Sequence, residues 1–351
     1  MKAVVFAGLG AVAVEEVPEP RPIEADDAVV AVHTTAICGS DLHLLDGKTP
    51  GMRPGNVLGH EFVGTVIAVG PEATPIKEGE RVLGSFLIAC GRCTQCAARR
   101  FNFCGARRAL GMGPLSGDLD GAQAEAVRVP HAPINLLRLD AGMETVADEM
   151  VLFCGDIMAT GFYSAALSEI TSHDTVLVIG AGPVGLFCAV GARRAGAARV
   201  LVADSDAERA SFATKQMGFE SIDGAATDIV EAVMDATSGS GVDVAIDAVG
   251  AVPVLKIATR CVRDGGRVTV VGVYGAERYE MPMGRLWVRG LDIRFSGMAN
   301  VQAHWRDCIA AVAKNELDPT KLITHRLRLE DAPRGYELFR ARRALKVVMT
   351  P

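Results

Sequence analysis

The sequence has no uninterrupted apolar run approaching the roughly 18 residues of a membrane-crossing helix, which argues against a membrane partner. It has no long basic run either. With a formal net charge of -6, nothing draws it to nucleic acid or to an anionic surface. The pairs Arg107–Arg108 and Arg342–Arg343 read as solvated surface. No internal period of roughly 20–50 residues and no low-complexity linker is present, which sets aside solenoids and tethered modules. The nine cysteines make an odd number, and four crowd into Cys90–Cys104, a pattern of metal binding in a reducing compartment rather than of disulfides. A cytoplasmic location is therefore expected.

The first residues imitate a secretion signal, with Lys2, an apolar run and small residues at Ala11 and Ala13. Gly8 and Gly10 break that run into two short pieces before Glu15 and Glu16, which suits a β-hairpin of the mature fold. What the chain does have is apolar bulk: 49% hydrophobic residues over 351 positions, more than one ordinary core holds, so two domains are expected. Up to about residue 150 short β-prone segments such as Ala28–His33, Phe62–Val69 and Gln123–Val129 alternate with Gly and Pro, predicting an antiparallel β-barrel. From about Asp174 strand and helix alternate: Thr175–Ile179, Val184–Ala195, Arg199–Ala203, Ala207–Met217, Ile229–Thr237, Val242–Asp247, Val252–Val262 and Arg267–Val271. That alternation predicts an α/β, doubly wound parallel sheet of the Rossmann kind. The tail from Met298 carries one helical stretch, Ala303–Asn315, and a strand at Lys346–Met349. The expected domains are 1–156 with 298–351, and 157–297.

Val176–Gly185 reads VLVIGAGPVG, a buried-strand pattern closed by Gly180, Gly182 and Gly185 with Pro183 and Val184 between them. Such a turn leaves bare backbone for a pyrophosphate at a helix N-terminus. Alone it is weak, because glycine triplets also occur in ordinary turns. Asp204, at the end of the next strand, stands where an acid accepts hydrogen bonds from both adenosine ribose hydroxyls and repels a 2′-phosphate, indicating NAD. Asp206 is a weaker candidate, and Arg209 is the residue that can attract phosphate instead.

Cys90-x2-Cys93-x2-Cys96-x7-Cys104 can wrap one zinc ion tetrahedrally in a closed, structural site; a disulfide pair or an iron–sulfur cluster is the rival. A second group is scattered: Cys38 in ICGSDLH, His60 and Glu61 in LGHEFVG, and Asp156 in FCGDIMATGF. Singly, Cys38 reads as a small core residue and His60 as a satisfied histidine.

Together with CGSDLH, GHEFVG, the cysteine lobe, D-x-x-x-TG at 156–161, GAGPVG and the DAVG turn at 247–250, they make the chain resemble the zinc-dependent medium-chain alcohol dehydrogenases over nearly its full length. The resemblance implies a GroES-like β-barrel beside the Rossmann domain. It also implies two zinc ions, a structural one on the four cysteines and a catalytic one on Cys38, His60 and Asp156. Glu61 is then the adjacent acid able to ligate the metal transiently, and Cys154, two residues too early, is packing. Ser40 and His43 match the family's proton relay, Asp41 is the acid expected to pair with Lys346, and Val249 and Val273 line the nicotinamide side. The implied activity is hydride exchange between a small alcohol and NAD, in a homo-oligomer, a tetramer rather than a dimer. GDLDGAQAEAVRVP and NLLRL look like the glutathione-independent formaldehyde dehydrogenase branch, beside that of the bacterial secondary alcohol dehydrogenases. Formaldehyde dismutation or polyol oxidation is the alternative chemistry, and a non-catalytic NAD- and zinc-binding protein the alternative class. Leu110, Met112, Met158, Trp287 and Met298 are candidates for the substrate pocket by position.

Overall fold

The computed structural model describes residues 1–140, 143, 145–275 and 278–351. It divides into two compact units, Met1–Ala159 with Asn300–Pro351, and Thr160–Ala299. Among the described residues no single helix is long and apolar enough to cross a membrane.

The first unit opens with the hairpin Lys2–Gly8 and Ala11–Glu16, whose alternating residues put Val4 and Phe6 into the core. Its main sheet runs in the order His325–Arg328, Val347–Thr350, Ala28–Ile37, Phe62–Val69, Arg81–Gly84, Leu136–Arg138, with Ala126–Val129 also paired to Ala28–Ile37. All pairings are antiparallel except His325–Arg328 with Val347–Thr350. Ala28, Val30, Val32, Phe62, Val66, Val82 and Val127 alternate inward and close a core with Ile88 and Leu110. The tail holds more than the one helix its pattern showed. Val301–Ala313 is followed by the strand at 325–328 and by the helix Ala332–Arg340, which buries Ala332, Tyr336 and Phe339 against Ile37, Leu44 and Val347.

The second unit is a six-stranded parallel sheet in the order Glu220–Asp223, Arg199–Asp204, Thr175–Ile179, Val242–Asp247, Val262–Val270, Asp292–Phe295. Its central strands are continuous aliphatic runs, as strands covered by helices on both faces must be. The two edge strands are four residues each and carry two charged residues apiece, Glu220 and Asp223 on one, Asp292 and Arg294 on the other; that is why their sequences do not stand out.

Candidate active site

Cys38 ends the long strand Ala28–Ile37 and is the N-cap of the short helix Gly39–Leu45. Its backbone N–H donates to Asp41 Oδ2 at 2.9 Å, closing the first turn and fixing the thiol's direction. His60 follows Gly59, whose φ of +89° and contact with Gln123, 2.3 Å from where a Cβ would stand, admit no larger residue. Asp156 arrives from the other end of the unit's first segment, on the turn between the 3-10 stretch Leu152–Gly155 and the helix Ile157–Leu167.

The three donors converge. Cys38 Sγ, His60 Nε2 and an Asp156 carboxylate oxygen all lie within 4.8 Å of one another and all three residues are buried. Cys38 Sγ is 3.5 Å and His60 Nε2 3.3 Å from Asp156 Oδ2. Asp41 Oδ1 sits 3.4 Å from His60 Nδ1, so negative charge faces that side of the ring while Nε2 faces the cluster. Burial opposes the imidazolium, but Asp41 and Asp156 hold the His60 pKa well above its ordinary value. Burial and the Asp156 charge push the Cys38 thiol up. Asp156 moves the other way: burial is outweighed by His60, and its carboxyl lies below the usual range. A thiol, an imidazole nitrogen and a carboxylate gathered in a buried pocket make a donor set that could hold a divalent metal of the zinc class and leave one of four positions for another ligand. Cys154 takes no part: its Sγ lies 3.8 Å from Met158 Sδ in the core.

Ser40 Oγ lies 3.3 Å from His60 Nε2, facing the cluster. His43 is half-buried with no hydrogen-bond partner for Nδ1, and burial and Lys48 lower its pKa, so its ring is neutral and able to accept a proton near pH 7. Glu61, fully buried, approaches Lys346 instead of standing alone: Lys346 Nζ is 2.5 Å from Glu61 Oε2. This corrects the expected pairing of Asp41 with Lys346. Asp41 is committed to the Cys38 N–H, to the Gln123 amide at 3.2 Å and to the His60 ring, while Lys346, over the Phe153 ring, faces Glu61. A lone glutamine in a bend three residues ahead of the strand Ala126–Val129 carries no motif, so nothing in the sequence singles out Gln123. Its Nε2 also donates to the Ala36 carbonyl at 3.0 Å, and its Oε1 accepts from Tyr336 at 2.8 Å.

The four lobe cysteines are free thiols with sulfurs all within 4.8 Å. Cys93 and Cys96 are 3.5 Å apart and Cys93 and Cys104 3.9 Å. Zinc–sulfur bonds of about 2.3 Å set tetrahedral ligands about 3.8 Å apart, so the lobe fits one ion and is too wide for a disulfide. The backbone N–H of Cys96 lowers the Cys93 pKa to about 6, whereas burial pushes Cys96 up to about 12. Asn300 anchors the lobe, accepting from the Phe101 N–H at 3.1 Å and donating to the Arg99 carbonyl at 2.8 Å.

In the second unit the strand Thr175–Ile179 turns through Gly180, φ +105°, into the helix Pro183–Arg194 capped at Gly182. Val184 lies in that helix's first turn. A Cβ on Gly185 would meet the Gly180 carbonyl oxygen at 1.7 Å, so helix and strand pack at backbone contact. Asp204 braces the turn: its Oδ2 accepts from the Ala181 N–H at 2.7 Å and its Oδ1 from the Asp206 N–H at 2.8 Å. Asp206 caps the helix Ala207–Lys215, and Arg209 Nη1 lies 3.7 Å from the position of a Gly182 Cβ, beside the turn. Val249 and Val273 protrude, 44% and 48% exposed. Below them buried Asp247 accepts from the Val249 and Gly250 N–H groups and from the Tyr274 hydroxyl at 2.7 Å, a brace the sequence did not announce. Of the pocket candidates, Leu110 belongs to the barrel core, Met158 is fully buried, Met112 packs against the core that holds Val4, Phe6 and Ile37, Met298 is half-buried and Trp287 is 82% exposed.

These two units have known counterparts. Residues 24–139 match the alcohol dehydrogenase GroES-like domain, and residues 183–314 match the zinc-binding dehydrogenase domain. Together they place the chain among the zinc-binding dehydrogenases, which are oxidoreductases. An uncharacterized zinc-type alcohol dehydrogenase-like protein of Bacillus subtilis is 34% identical over the full length of both chains. The structure of an alcohol dehydrogenase from Thermus sp. ATN1 is 41% identical with a TM-score of 0.93, covering 100% of this chain and 99% of that one. A zinc-binding dehydrogenase from Sinorhizobium meliloti 1021, solved with NADP, is 32% identical with a TM-score of 0.86, covering 100% and 99%. The chain belongs to the zinc-dependent medium-chain alcohol dehydrogenase family.

Proposed function

We propose that the protein interconverts a small alcohol and its aldehyde or ketone with NAD as hydride acceptor, using one catalytic and one structural zinc ion per chain. The convergence of Cys38, His60 and Asp156 is the observation that carries this reading. These residues would hold the catalytic ion, and Cys90, Cys93, Cys96 and Cys104 the structural one. Bound zinc supplies Lewis acidity, lowering the pKa of a substrate oxygen toward neutrality. Ser40 receives the substrate proton and passes it towards His43, whose neutral ring accepts it. Gly180, Gly182, Pro183, Val184 and Gly185 would seat the cofactor pyrophosphate, with Arg209 alongside; Val249 and Val273 would meet the nicotinamide. Asp204 favours NAD, because a 2′-phosphate would stand against its carboxylate.

We assign residues 1–156 with 298–351 to the catalytic domain and 157–297 to the cofactor domain. Met283, Trp287 and Val288, 65%, 82% and 76% exposed, favour a homo-oligomer, which we take as a tetramer. Nine free cysteines favour the cytoplasm. The test is a panel of alcohols and carbonyl compounds with NAD and NADP, following reduced-cofactor absorbance, with metal content measured alongside. Turnover with NAD and two zinc ions per chain is expected. Absence of turnover on every substrate with both zinc ions bound overturns the activity, and a preference for NADP overturns the Asp204 argument alone.

A further inference from the structure

Lys346 is the most deeply buried cation of the chain's first unit, 1% exposed, and it points at the residue that follows a metal-ligand candidate. Its backbone is held rigidly. The Lys346 carbonyl accepts from the N–H groups of Thr324 and His325 and from the Thr324 hydroxyl, and the strand Val347–Thr350 starts at the next residue. Its ammonium lies over the Phe153 ring, in the 3-10 stretch that delivers Asp156, and 2.5 Å from Glu61 Oε2. Both Glu61 carboxylate oxygens are buried, and its side chain faces the Asp156 carboxyl group of the cluster. A carboxylate oxygen in that condition is a ligand in waiting.

The charges explain why it waits. Cys38 as thiolate, Asp41, Asp156 and Glu61 place four negative charges around one dication, and Lys346 is the cation that offsets part of the excess. A buried carboxylate that loses its ammonium is left without its strongest positive partner, and an ion held by Cys38, His60 and Asp156 would offer it another. We propose that Lys346 is a positioning residue that holds Glu61 out of the coordination sphere, so that the ion on Cys38, His60 and Asp156 keeps its fourth position for an incoming ligand. This rests on the reading of that cluster as a metal centre.

The test uses the full-length protein with cobalt in place of the catalytic zinc and imidazole as the probe ligand, titrated by the cobalt visible spectrum. In the unmodified protein imidazole perturbs the spectrum. In Lys346→Met, Glu61 takes the open position and apparent imidazole affinity falls at least about tenfold, while Lys346→Arg keeps it near the original value. With Glu61→Gln there is no carboxylate to restrain, so Glu61→Gln and the Glu61→Gln/Lys346→Met double variant bind imidazole equally. That comparison decides the matter if Lys346→Met alone fails to load metal. Unchanged affinity in loaded Lys346→Met, or a tenfold loss in the double variant relative to Glu61→Gln, overturns the role of Lys346. An unmodified protein that takes up metal on the four-cysteine lobe alone overturns the underlying metal-centre reading.

Discussion

The two clusters of metal-ligand type are built on opposite plans. The lobe cysteines come from a single loop, Cys90 to Cys104, with one donor chemistry and all four positions taken. The other cluster draws a thiol, an imidazole and a carboxylate from three separate turns, with Cys38 and Asp156 118 residues apart. A closed set of soft ligands from one loop can only staple that loop. A mixed set of three donors, deep in the fold and beside Ser40, Glu61 and Lys346, suits chemistry rather than stapling, but it comes together only when the rest of the unit has folded around it.

The sharpest way to break this comparison is Asp156→Ala. Turnover is expected to fall at least about a thousandfold, one of two zinc ions to be lost, and thermal stability to stay nearly unchanged. Activity equal to the unmodified enzyme would remove Asp156 from the ligand set. Cys104→Ser tests the opposite role. The lobe ion is lost and the melting temperature drops by about 10 °C, corresponding to roughly 3 kcal/mol, while the activity measured at low temperature stays within a few-fold.

Zinc affinity should also fall with pH at both clusters, with a slope that counts the protons each gives up. His60 and Cys38 both have raised pKa values, so each carries a proton at neutral pH that the metal must displace, whereas Asp156, lowered, carries none. With two protons released, affinity of the mixed cluster falls about a hundredfold for each unit of pH lowered through neutrality. In the lobe Cys93, at about 6, is already a thiolate at pH 7.5, and the remaining thiols supply the protons. Competition with a chromogenic chelator across pH 6 to 8 on Cys104→Ser and Asp156→Ala, each with one cluster intact, reads both slopes. The smallest effect is His43→Gln: turnover falls up to about a hundredfold at neutral pH and recovers as hydroxide or added imidazole base replaces the relay. A pH profile parallel to that of the unmodified enzyme would take His43 out of the proton path.

How much was legible in advance follows from the same division. The cysteine spacing and GAGPVG are local, so their chemistry is written in consecutive residues, and the long central strands announce themselves by unbroken aliphatic runs. Cys38, His60 and Asp156 carry no spacing that links them, and resemblance rather than pattern brought them together. Lys346 had a signal, one charge set in the apolar run Ala344–Met349, which should mean a buried partner. The resemblance names Asp41 as that partner, and nothing in the sequence separates it from Glu61, since both are acids near the candidate ligands. Their difference lies in Asp41's prior commitments to the Cys38 N–H and Gln123. The helix Ala332–Arg340 has a clean helical stripe, Ala332, Gly335, Tyr336 and Phe339 inward with Arg334, Glu337 and Arg340 opposite, but Pro333 and Gly335 within nine residues give its sequence the look of a turn.

The first unit is discontinuous: it is completed by Asn300–Pro351, after the whole of Thr160–Ala299 has intervened. On the ribosome, where folding proceeds from the N-terminal side as chain emerges, Cys38, His60 and Asp156 are all made well before Lys346 is synthesised. The strand Val347–Thr350 must then find Ala28–Ile37, with Val347 opposite Ile37, one of the most distant pairings in the chain. Glu61 therefore spends the early life of each nascent molecule without its counter-ion. The charge balance of the buried cluster is completed as a final act of assembly, when the last strand seats the lysine.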